Sequence, residues 1–472
     1  MDDEAGFVAR AALRLTAWTE RWIPDAFVFA LLATLFVFIA AIIWTPSSPL
    51  QVIDAWGNGF WDLIAFTLQM SLIIITGHVL ATSAPMGRAI SGIAAWPSTP
   101  RGAVALVAFF AMFSSWFNWG FSLIFSAVLA RAVARRVSGV DYRALAAASM
   151  LGLGSIWAQG LSGSAALQMA TPGALQPQIR DIVAAGGIVP GGMIPFSDSI
   201  FLWQSFVSVA IEMIVVTLVM WLATPPPAKA KTAAMLGVQL GTGELREPTR
   251  PPGKVSPGAW FEHSPLLSLV LVAFGTIYLI RYFNRAPEPL NAITINIINF
   301  SFLILGVLLH KTPARLMHAV QGAVPAVWGV VLQFPFYAGI AAIITTTHLN
   351  ERLANAFVSI STPQSFPAVV AIYSAVLGVF VPSGGSKWVI EAPYVIAAAH
   401  ELKVHLWWVV ASYDLGEALA NLLQPFWMLP TLAMLGLRAR DVMGYTFIVA
   451  LVLTPVVLLL VTLLGATLSY PL

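Results

Sequence analysis

The chain has 472 residues, of which 58% are hydrophobic and only 10% charged, with a formal net charge of +3. Ordinary soluble domains carry about 25% charged residues, so this composition excludes a typical soluble protein and indicates a membrane protein. The small basic excess suits loops that set membrane orientation rather than a nucleic-acid-binding surface. Because the chain has no cysteine, it has no disulfide, no cysteine-ligated zinc site and no thiol nucleophile.

Long apolar runs recur along the chain, at Phe27–Trp44, Ile293–Leu309 and Met443–Leu468 among others. Each is close to or above the roughly 18 apolar residues that are typical of a transmembrane helix. The runs are continuous rather than alternating, which predicts helices and not a transmembrane barrel. The basic N-terminus lacks a short apolar stretch followed by a cleavage site, so we expect no removable signal peptide. The predicted fold class is an all-α polytopic membrane protein.

A polar stretch rich in proline, lysine and arginine, residues 224–264, divides the chain into two hydrophobic parts, 1–223 and 265–472. We interpret this stretch as a linker rather than a domain. The two parts share sparse matches at one separation, since Leu68–Gln69 and Leu332–Gln333 are 264 positions apart (333 − 69). Gly120 and Gly384 have the same separation (384 − 120). These matches predict a repeat, with an extra span near Leu266–Ile280 between its copies.

The basic residues fall in different loops of the two parts. The loop at 131–143 holds four arginines, whereas its counterpart at 398–405 holds only Lys403. Conversely, the loop at 45–56 has no basic residue, whereas its counterpart contains Lys311 and Arg315. Because basic loops face the cytoplasm, equivalent loops lie on opposite sides of the membrane, as in an inverted repeat. This pattern predicts about nine transmembrane helices and two re-entrant hairpins, with the N-terminus and the 224–264 linker in the cytoplasm.

The two hairpins are predicted at about 103–135 and about 366–400. The arms of the second are about 15 residues each, or ~23 Å of helix, which is short for a hydrocarbon core of about 30 Å. Helix-breaking residues form the predicted tips, Asn118–Gly120 and Pro382–Gly385. Non-helical backbone at membrane depth is tolerated only where protein or a water-filled cavity satisfies it. The alternative is a pair of tilted full spans joined by a tight turn.

An interrupted helix is predicted after each hairpin, at about 145–175 and at about 406–433. The first contains "GLSGSA" and "TPG", and the second carries polar residues spaced by three, four and three before Pro425, which removes a backbone donor. Paired interrupted helices in two inverted halves indicate a transporter's binding site. An intramembrane carboxylate costs about 3 kcal/mol at the bilayer centre, which favours a functional role for Asp414 and Glu417. Small residues such as Ser and Gly more often serve helix packing.

Lys387 and Glu391 are two further charges in an apolar segment, spaced by four residues. Mutual neutralisation is one interpretation, and a role beside the substrate is the other. No phosphate-binding loop, zinc-peptidase motif or nucleophile elbow occurs in its required setting, so we predict that the protein is not an enzyme. The rival hypothesis is an intramembrane enzyme that uses Asp414, Glu417 and Lys387 as acid–base groups. An enzyme has no need of a two-sided repeat, which disfavours this rival.

Several stretches together carry a family resemblance, namely "WGNGFWDLIAFTLQMSLIIITGH", "FNWGFSLIFSAVLARAVARRV", "LQFPFYAGI", "VPSGGSKWVIEAPYVI" and "QPFWMLP". They resemble the bacterial short-chain fatty acid transporter family, the acetoacetate and butyrate type, over nearly the whole chain. The resemblance implies a cation-coupled symporter of the ion-transporter superfamily in the bacterial inner membrane. It further implies a homodimer with elevator-like motion, a small monocarboxylate as the substrate and Na⁺ or H⁺ as the coupling ion. We expect no cofactor and no nucleic-acid partner. The alternative is a carrier for a different small organic anion.

The resemblance also implies a binding site between the two tips and the two interrupted helices. The substrate-binding residues are predicted to be Asn118, Trp119, Ser162, Gly163, Ser164, Ser383, Gly384, Gly385, Ser386, Lys387 and Gln424. The residues predicted for cation coupling are Asp414, Glu417, Asn421 and Glu391, and a Na⁺ ion is expected near Asn118, Gly163, Ser383 and Asn421. At the second tip, free backbone N–H groups at the start of a helix would meet the substrate carboxylate.

Overall fold

The computed structural model describes residues 26–240, 256–287, 289, 292–324, 327–380, 384–424 and 426–472. Within these residues the chain forms helices and connecting segments and no strand, which confirms the all-α class for this part of the chain. The predicted tip residue Ser383 and the helix breaker Pro425 lie outside the described residues.

Before the linker, residues 26–223 form ten α-helices, and the longest connection, between the last two, contains three 3₁₀ turns. They are α1 (Ala26–Trp44), α2 (Pro49–Gly59), α3 (Ile64–Ala81), α4 (Ala84–Ile93), α5 (Pro100–Phe117), α6 (Trp119–Arg136), α7 (Tyr142–Leu151), α8 (Ser164–Ala170), α9 (Pro177–Val183) and α10 (Trp203–Ala223). A π-helical turn, Gly152–Ile156, and a 3₁₀ turn, Trp157–Gln159, extend α7 toward the break that precedes α8.

The described residues from 256 onward form eleven α-helices, the first of which lies within the predicted linker. They are α11 (Pro257–His263), α12 (Leu266–Arg285), α13 (Ile295–His310), α14 (Pro313–Ala323), α15 (Trp328–Thr346), α16 (Leu349–Ile360), α17 (Phe366–Phe380), α18 (Gly384–Leu402), α19 (Leu406–Leu423), α20 (Leu429–Leu435) and α21 (Ala439–Gly465). Helix α17 has the length expected for an arm, 15 residues, whereas α18 is longer than expected, at 19 residues.

Capping residues set the boundaries around the first predicted tip. Thr99 caps α5, since its hydroxyl accepts the Gly102 N–H at 3.1 Å, and Pro100 takes the first helical position, where a missing N–H has no cost. Asn118 both ends α5 and begins α6, with extended backbone (φ −159°, ψ 118°). Its Oδ1 accepts the Phe121 N–H at 2.8 Å. The two helices are therefore joined through one residue, and they pack against each other.

Six helical segments in the described part of the chain are long and apolar enough to cross a membrane. They are Ile64–Ala81, Pro100–Phe117, Tyr142–Ala170, Trp203–Ala223, Leu266–Arg285 and Ala439–Gly465. The bent pair Val330–Thr346 and Leu349–Ile360, with an angle of 78° between its helices, adds a seventh if it is one span. Further apolar helices, Ala30–Trp44, Ile295–His310 and Phe366–Val379, are shorter. The chain is thus a multi-pass membrane protein, and nine full spans with two re-entrant segments stays a prediction.

Helix α19 lies at the centre of the molecule. Every residue from Leu406 to Leu422 is buried, and α17, α18 and α21 pack around it. Its polar face, which in isolation would be costly in a bilayer, is therefore directed at protein and not at lipid. Helix α12 is the opposite case, since only Ser268 and Gly275 along it are buried.

Part of the predicted linker is fastened to the helices. We call residues 231–240 the linker strap. The backbone N–H of Lys231 donates to Asp141 Oδ2 at 3.0 Å. The Arg131 guanidinium donates to the Gln239 carbonyl at 2.9 Å and to the Met434 carbonyl at 2.7 Å. One arginine therefore connects α6, the strap and the end of α20, so this part of the linker is held in place by hydrogen bonds.

Candidate functional site

The first predicted tip is bonded to the first interrupted helix. The Trp119 N–H, at the start of α6, donates to Ser162 Oγ at 2.9 Å. The Leu161 N–H donates to the Trp116 carbonyl at 2.7 Å, which adds a second bond between the same two segments. Asn118 is fully buried, and its Nδ2 has no hydrogen-bond partner among the described residues. The tip thus presents an amide donor beside the break.

The break at Gly160–Gly163 depends on its two glycines. A Cβ at Gly160 would lie 2.1 Å from the Trp116 carbonyl oxygen, and a Cβ at Gly163 would lie 2.2 Å from the Ala158 carbonyl oxygen. Real Cβ atoms do not approach backbone oxygens so closely, so a side chain at either position would displace the break. Close backbone contact, and not positive φ, explains the glycines here.

The second tip meets the first half of the chain at Gly384 and Gly385, the first residues of α18. Gln168 on α8 donates through Nε2 to the Gly385 carbonyl at 2.8 Å. The Tyr413 hydroxyl on α19 donates to the Gly384 carbonyl. A Cβ on Gly385 would lie 3.0 Å from the Ser164 Cβ. The tip residues and interrupted helices that the sequence places in one site are therefore in contact.

A narrow cavity lies where these segments converge. Its lining includes Trp119, Trp157, Ser164, Gly384, Gly385 and Asn421, together with apolar side chains from α3 and α15. Its free volume is about 30 Å³, room for roughly two water molecules at about 10–15 Å³ each. The cavity must therefore widen before it can hold an acid of several carbons.

A larger cavity of about 560 Å³ opens between α2, the loop that follows it and the end of α15. Asp54 and Asp62 lie in its wall, and none of the predicted site residues does. A lining with two carboxylates repels a carboxylate substrate at close range. We place the candidate site in the smaller cavity, because both tips and both interrupted helices meet there.

Four charged residues lie beside this cavity, and we call them the lysine cluster: Lys387, Glu391, Asp414 and Glu417. All four are 0% exposed. Lys387 Nζ lies 2.7 Å from Glu417 Oε2 and 3.6 Å from Glu391 Oε1. The expected pairing of Lys387 with Glu391 is thus the weaker contact, because α18 packs on α19 and brings Glu417 closer.

The remaining contacts of Lys387 come from α17 and α19. Its ammonium donates to the Ser374 carbonyl at 2.6 Å and to Ser374 Oγ at 2.8 Å. The same ammonium lies 4.8 Å from the centre of the Tyr413 ring, within range of a cation–π interaction. Ser374 and Tyr413 were not predicted as site residues. Their only sequence signal is a polar group within an apolar helix.

The carboxyl oxygens of the lysine cluster outnumber its donors. Both oxygens of Asp414, Oε1 of Glu417 and Oε2 of Glu391 have no hydrogen-bond partner among the described residues. One ammonium cannot compensate three ionised carboxylates that are shielded from water, and an uncompensated buried charge is strongly unfavourable. The cluster then has two uncompensated negative charges, and bound protons or metal cations would reduce this imbalance.

Asn421 and Gln424 form the end of the polar face. Asn421 Nδ2 donates to the Leu153 carbonyl at 3.1 Å, and Gln424 Nε2 donates to Asn421 Oδ1 at 2.7 Å. Asn421 therefore reaches from α19 to the π-helical turn and borders the cavity, with Gln424 behind it. Gln424 itself is extended (φ −110°, ψ 141°) where α19 ends. Ser386 is within α18, but its side chain is outside the described part of the structure.

In the described residues, no group of three or more His, Asp or Glu side chains is arranged to hold a metal ion. The Na⁺ site expected near Asn118, Gly163, Ser383 and Asn421 would use amide and carbonyl oxygens instead. Oxygen ligands of this kind are those that hard cations prefer.

The comparisons with known proteins agree with this architecture. A sequence profile of the family described as "Short chain fatty acid transporter" matches residues 7–464. A protein of Escherichia coli (strain K12), provisionally named a short-chain fatty acid transporter, is 38% identical over 439 residues, 93% of this chain and 96% of that protein. The chain belongs to the short-chain fatty acid transporter family.

A second relative and two solved structures extend the comparison. A protein of Haemophilus influenzae (strain ATCC 51907 / DSM 11121 / KW20 / Rd) with the same provisional name is 33% identical over 450 residues, 95% of this chain and 98% of that protein. The YdaH transporter of Alcanivorax borkumensis superposes with a TM-score of 0.60 at 15% identity, covering 94% of this chain and 98% of that one. MtrF of Neisseria gonorrhoeae, described with a class of antimetabolite efflux pumps, gives 0.59 at 12% identity, covering 95% and 97%. These two likenesses concern the fold alone.

Proposed function

We propose that this member of the family takes up short-chain monocarboxylates such as acetoacetate or butyrate across the bacterial inner membrane. The observation that carries the proposal is the meeting of α6, α8, α18 and α19 at one narrow, largely apolar cavity. An apolar lining suits a short alkyl chain, while Ser164, Asn421 and the start of α18 supply the few polar groups that a single carboxylate needs. The first turn of α18 adds unpaired N–H groups and a partial positive charge.

We propose that a cation, H⁺ or Na⁺, accompanies the substrate. The buried excess of carboxyl groups in the lysine cluster supports this step, because one ammonium cannot compensate all three carboxylates when they are ionised. Gly384 lies between the cavity and the lysine cluster. A Cβ there would lie 2.6 Å from Cη2 of Trp157, which lines the cavity, and 3.2 Å from Cγ of Glu417, which belongs to the cluster. Binding of substrate at the tip and of the cation at the cluster would therefore influence each other.

The proposed mechanism is alternating access in a homodimer, with elevator-like motion, as the family resemblance implies. The narrow cavity supports a cycle in which the site opens to one side at a time. Apolar side chains are exposed along α1, α10 and α12, and these faces are available to lipid and to a second copy of the chain.

The test is uptake of labelled butyrate by liposomes that contain the purified protein. We expect accumulation that follows an imposed cation gradient, and counterflow with some members of a panel of unbranched acids of two to six carbons. Uptake equal to that of empty liposomes for every acid in the panel would refute the proposal. The same samples in detergent report on the rival enzyme hypothesis, which requires a new product from the acid without net transport.

A further inference from the structure

A buried carboxyl outside the lysine cluster has no charged partner within the described part of the chain. Glu212 is in α10, a helix whose large apolar residues, Phe206, Ile214 and Leu218 among them, are exposed. The glutamate itself is 0% exposed and belongs to the buried face of α10. A single acidic residue in a membrane-spanning helix is costly, which makes Glu212 a candidate for a function.

Only neutral groups contact the Glu212 carboxyl. Gln159 Nε2 donates to Oε1 at 2.7 Å, and Ser208 Oγ donates to the same oxygen at 2.9 Å. Oε2 has no hydrogen-bond partner among the described residues. Were the Gln159 amide turned over, two oxygens would be 2.7 Å apart, a separation that requires a proton between them. Either orientation of the amide therefore fits a carboxyl that carries a proton.

The helices around α10 provide no compensating charge. Those that pack against it are α5, α7 and α21, together with the π-helical turn. Their ionisable residues are Arg101 on α5, Tyr142 and Arg143 on α7, and Arg440, Asp441 and Tyr445 on α21. None of these pairs with Glu212. Arg143 pairs with Asp141 at 2.7 Å. Arg101 lies over the Trp221 ring, nine residues from Glu212, or ~13 Å along the helix.

The one partner from another helix connects Glu212 to the transport site. Gln159 is the last residue of the 3₁₀ turn, directly before Gly160, where the interrupted helix breaks. Trp157, two residues earlier, borders the cavity, and Ser162, three residues later, holds the Trp119 N–H. An ionised Glu212 needs water or new donors around Oε2, which requires Gln159 or its neighbours to move. Proton occupancy and the position of the break are therefore coupled.

We propose that Glu212 is a second proton-binding site, separate from the lysine cluster, and that Gln159 couples it to the break at Gly160–Gly163. The occupant is a proton, because the carboxyl is 0% exposed, its contacts among the described residues are neutral groups, and Oε2 has no partner there that could stabilise a negative charge. The coupling rests on the proposed transport function, whereas the protonation does not.

Infrared difference spectroscopy on the purified protein, without substrate, tests the protonation. Subtracting Glu212→Gln from the wild type at neutral pH should leave the carbonyl band of a protonated carboxyl. The matched control is Glu351→Gln, because Glu351 on α16 has a side chain that is 67% exposed and lies 3.0 Å from His348. That subtraction should leave only carboxylate bands. A difference spectrum for Glu212 with carboxylate bands alone would overturn the proposal.

A second variant keeps the test decisive if Glu212→Gln does not fold. Ser208→Ala retains the carboxyl and removes one of its two donors. The protonated-carboxyl band should then move in frequency, since a carbonyl stretch responds to each hydrogen bond it accepts. A band identical to the wild type would show that it arises elsewhere, and the proposal would fail.

Transport tests the coupling separately. In liposomes, the rate of butyrate exchange by the wild type should decline toward alkaline pH. Glu212→Gln has a neutral amide in place of the protonated carboxyl, so its exchange rate should decline at most half as much over the same pH range. An equal decline in both proteins would refute the coupling to the break. Absence of butyrate exchange in the wild type would count against the proposed substrate, and the infrared result would be unaffected.

Discussion

At the scale of single residues, Lys387 shows what the sequence could and could not predict. The spacing of Asp414, Glu417 and Asn421 correctly placed them on one buried face, because helical periodicity is local. The partner of Lys387 was missed, because sequence spacing identifies Glu391 on the same helix, whereas Glu417 comes from another helix. The same limit applies to Glu212, whose partner Gln159 is 53 residues away.

Glu417→Gln tests whether the lysine cluster couples a cation to transport. The variant should lose concentrative uptake of butyrate at least tenfold while substrate exchange stays within about twofold, because exchange needs no net movement of the cation. Lys387 keeps Ser374 and Glu391 as partners, so the variant should fold. Uptake against a gradient and exchange are both measured in liposomes.

The control for this variant is Glu262→Gln, which removes an exposed carboxyl from α11. It should behave like the wild type in both assays. Full accumulation by Glu417→Gln would exclude this carboxyl from cation coupling and leave Asp414 and Glu391 as the remaining candidates in the cluster.

At the scale of helices and turns, the positions of helix breaks were more predictable than the lengths of the helices. Asn118 was expected at a tip because the repeat pairs nearby Gly120 with Gly384 of the second tip, and the structure has Asn118 as the cap shared by α5 and α6. The bend between α15 and α16 has a weaker signal, since it depends on His348 in a left-handed conformation (φ 58°), which is rare for histidine.

Gly385→Ala tests the close contact between α18 and α8. The added Cβ would lie 3.0 Å from Ser164 Cβ and 3.3 Å from the Phe66 ring, so the tip must withdraw from the cavity. We expect butyrate uptake to fall at least tenfold, equivalent to about 1.4 kcal/mol, with little change in melting temperature. The measurements are initial uptake rates in liposomes and thermal unfolding in detergent.

Gly87→Ala on α4 is the matched control, because a Cβ there would have no atom within 4 Å. It should transport at the wild-type rate. If Gly385→Ala also transports at the wild-type rate, the tip can accommodate an added methyl group and the site is not closed around Gly385.

At the scale of the whole molecule, composition was sufficient to predict a helical membrane protein, whereas topology rests on loop charges alone. Those charges predict that the linker lies in the cytoplasm and the loop before α17 outside. Single cysteines at Ala234 and Gln364, both exposed, can test this in a chain that has no other cysteine. In intact cells an impermeant thiol reagent should label Gln364→Cys and not Ala234→Cys, and disruption of the membrane should expose the second site. Labelling of Ala234→Cys in intact cells would reverse the assigned orientation.

The linker strap has a consequence for chain connectivity. Because Asp141 and Arg131 hold residues 231–240 by direct hydrogen bonds, the amino-terminal piece would keep its own strap after cleavage anywhere between 241 and 255. The Arg131 bond to Met434, with the packing of α10 on α21, would then hold the carboxy-terminal piece by non-covalent contacts. Two separately synthesised polypeptides, 1–245 and 246–472, should accordingly co-purify and reconstitute one carrier, so the covalent joint between the halves is dispensable for assembly.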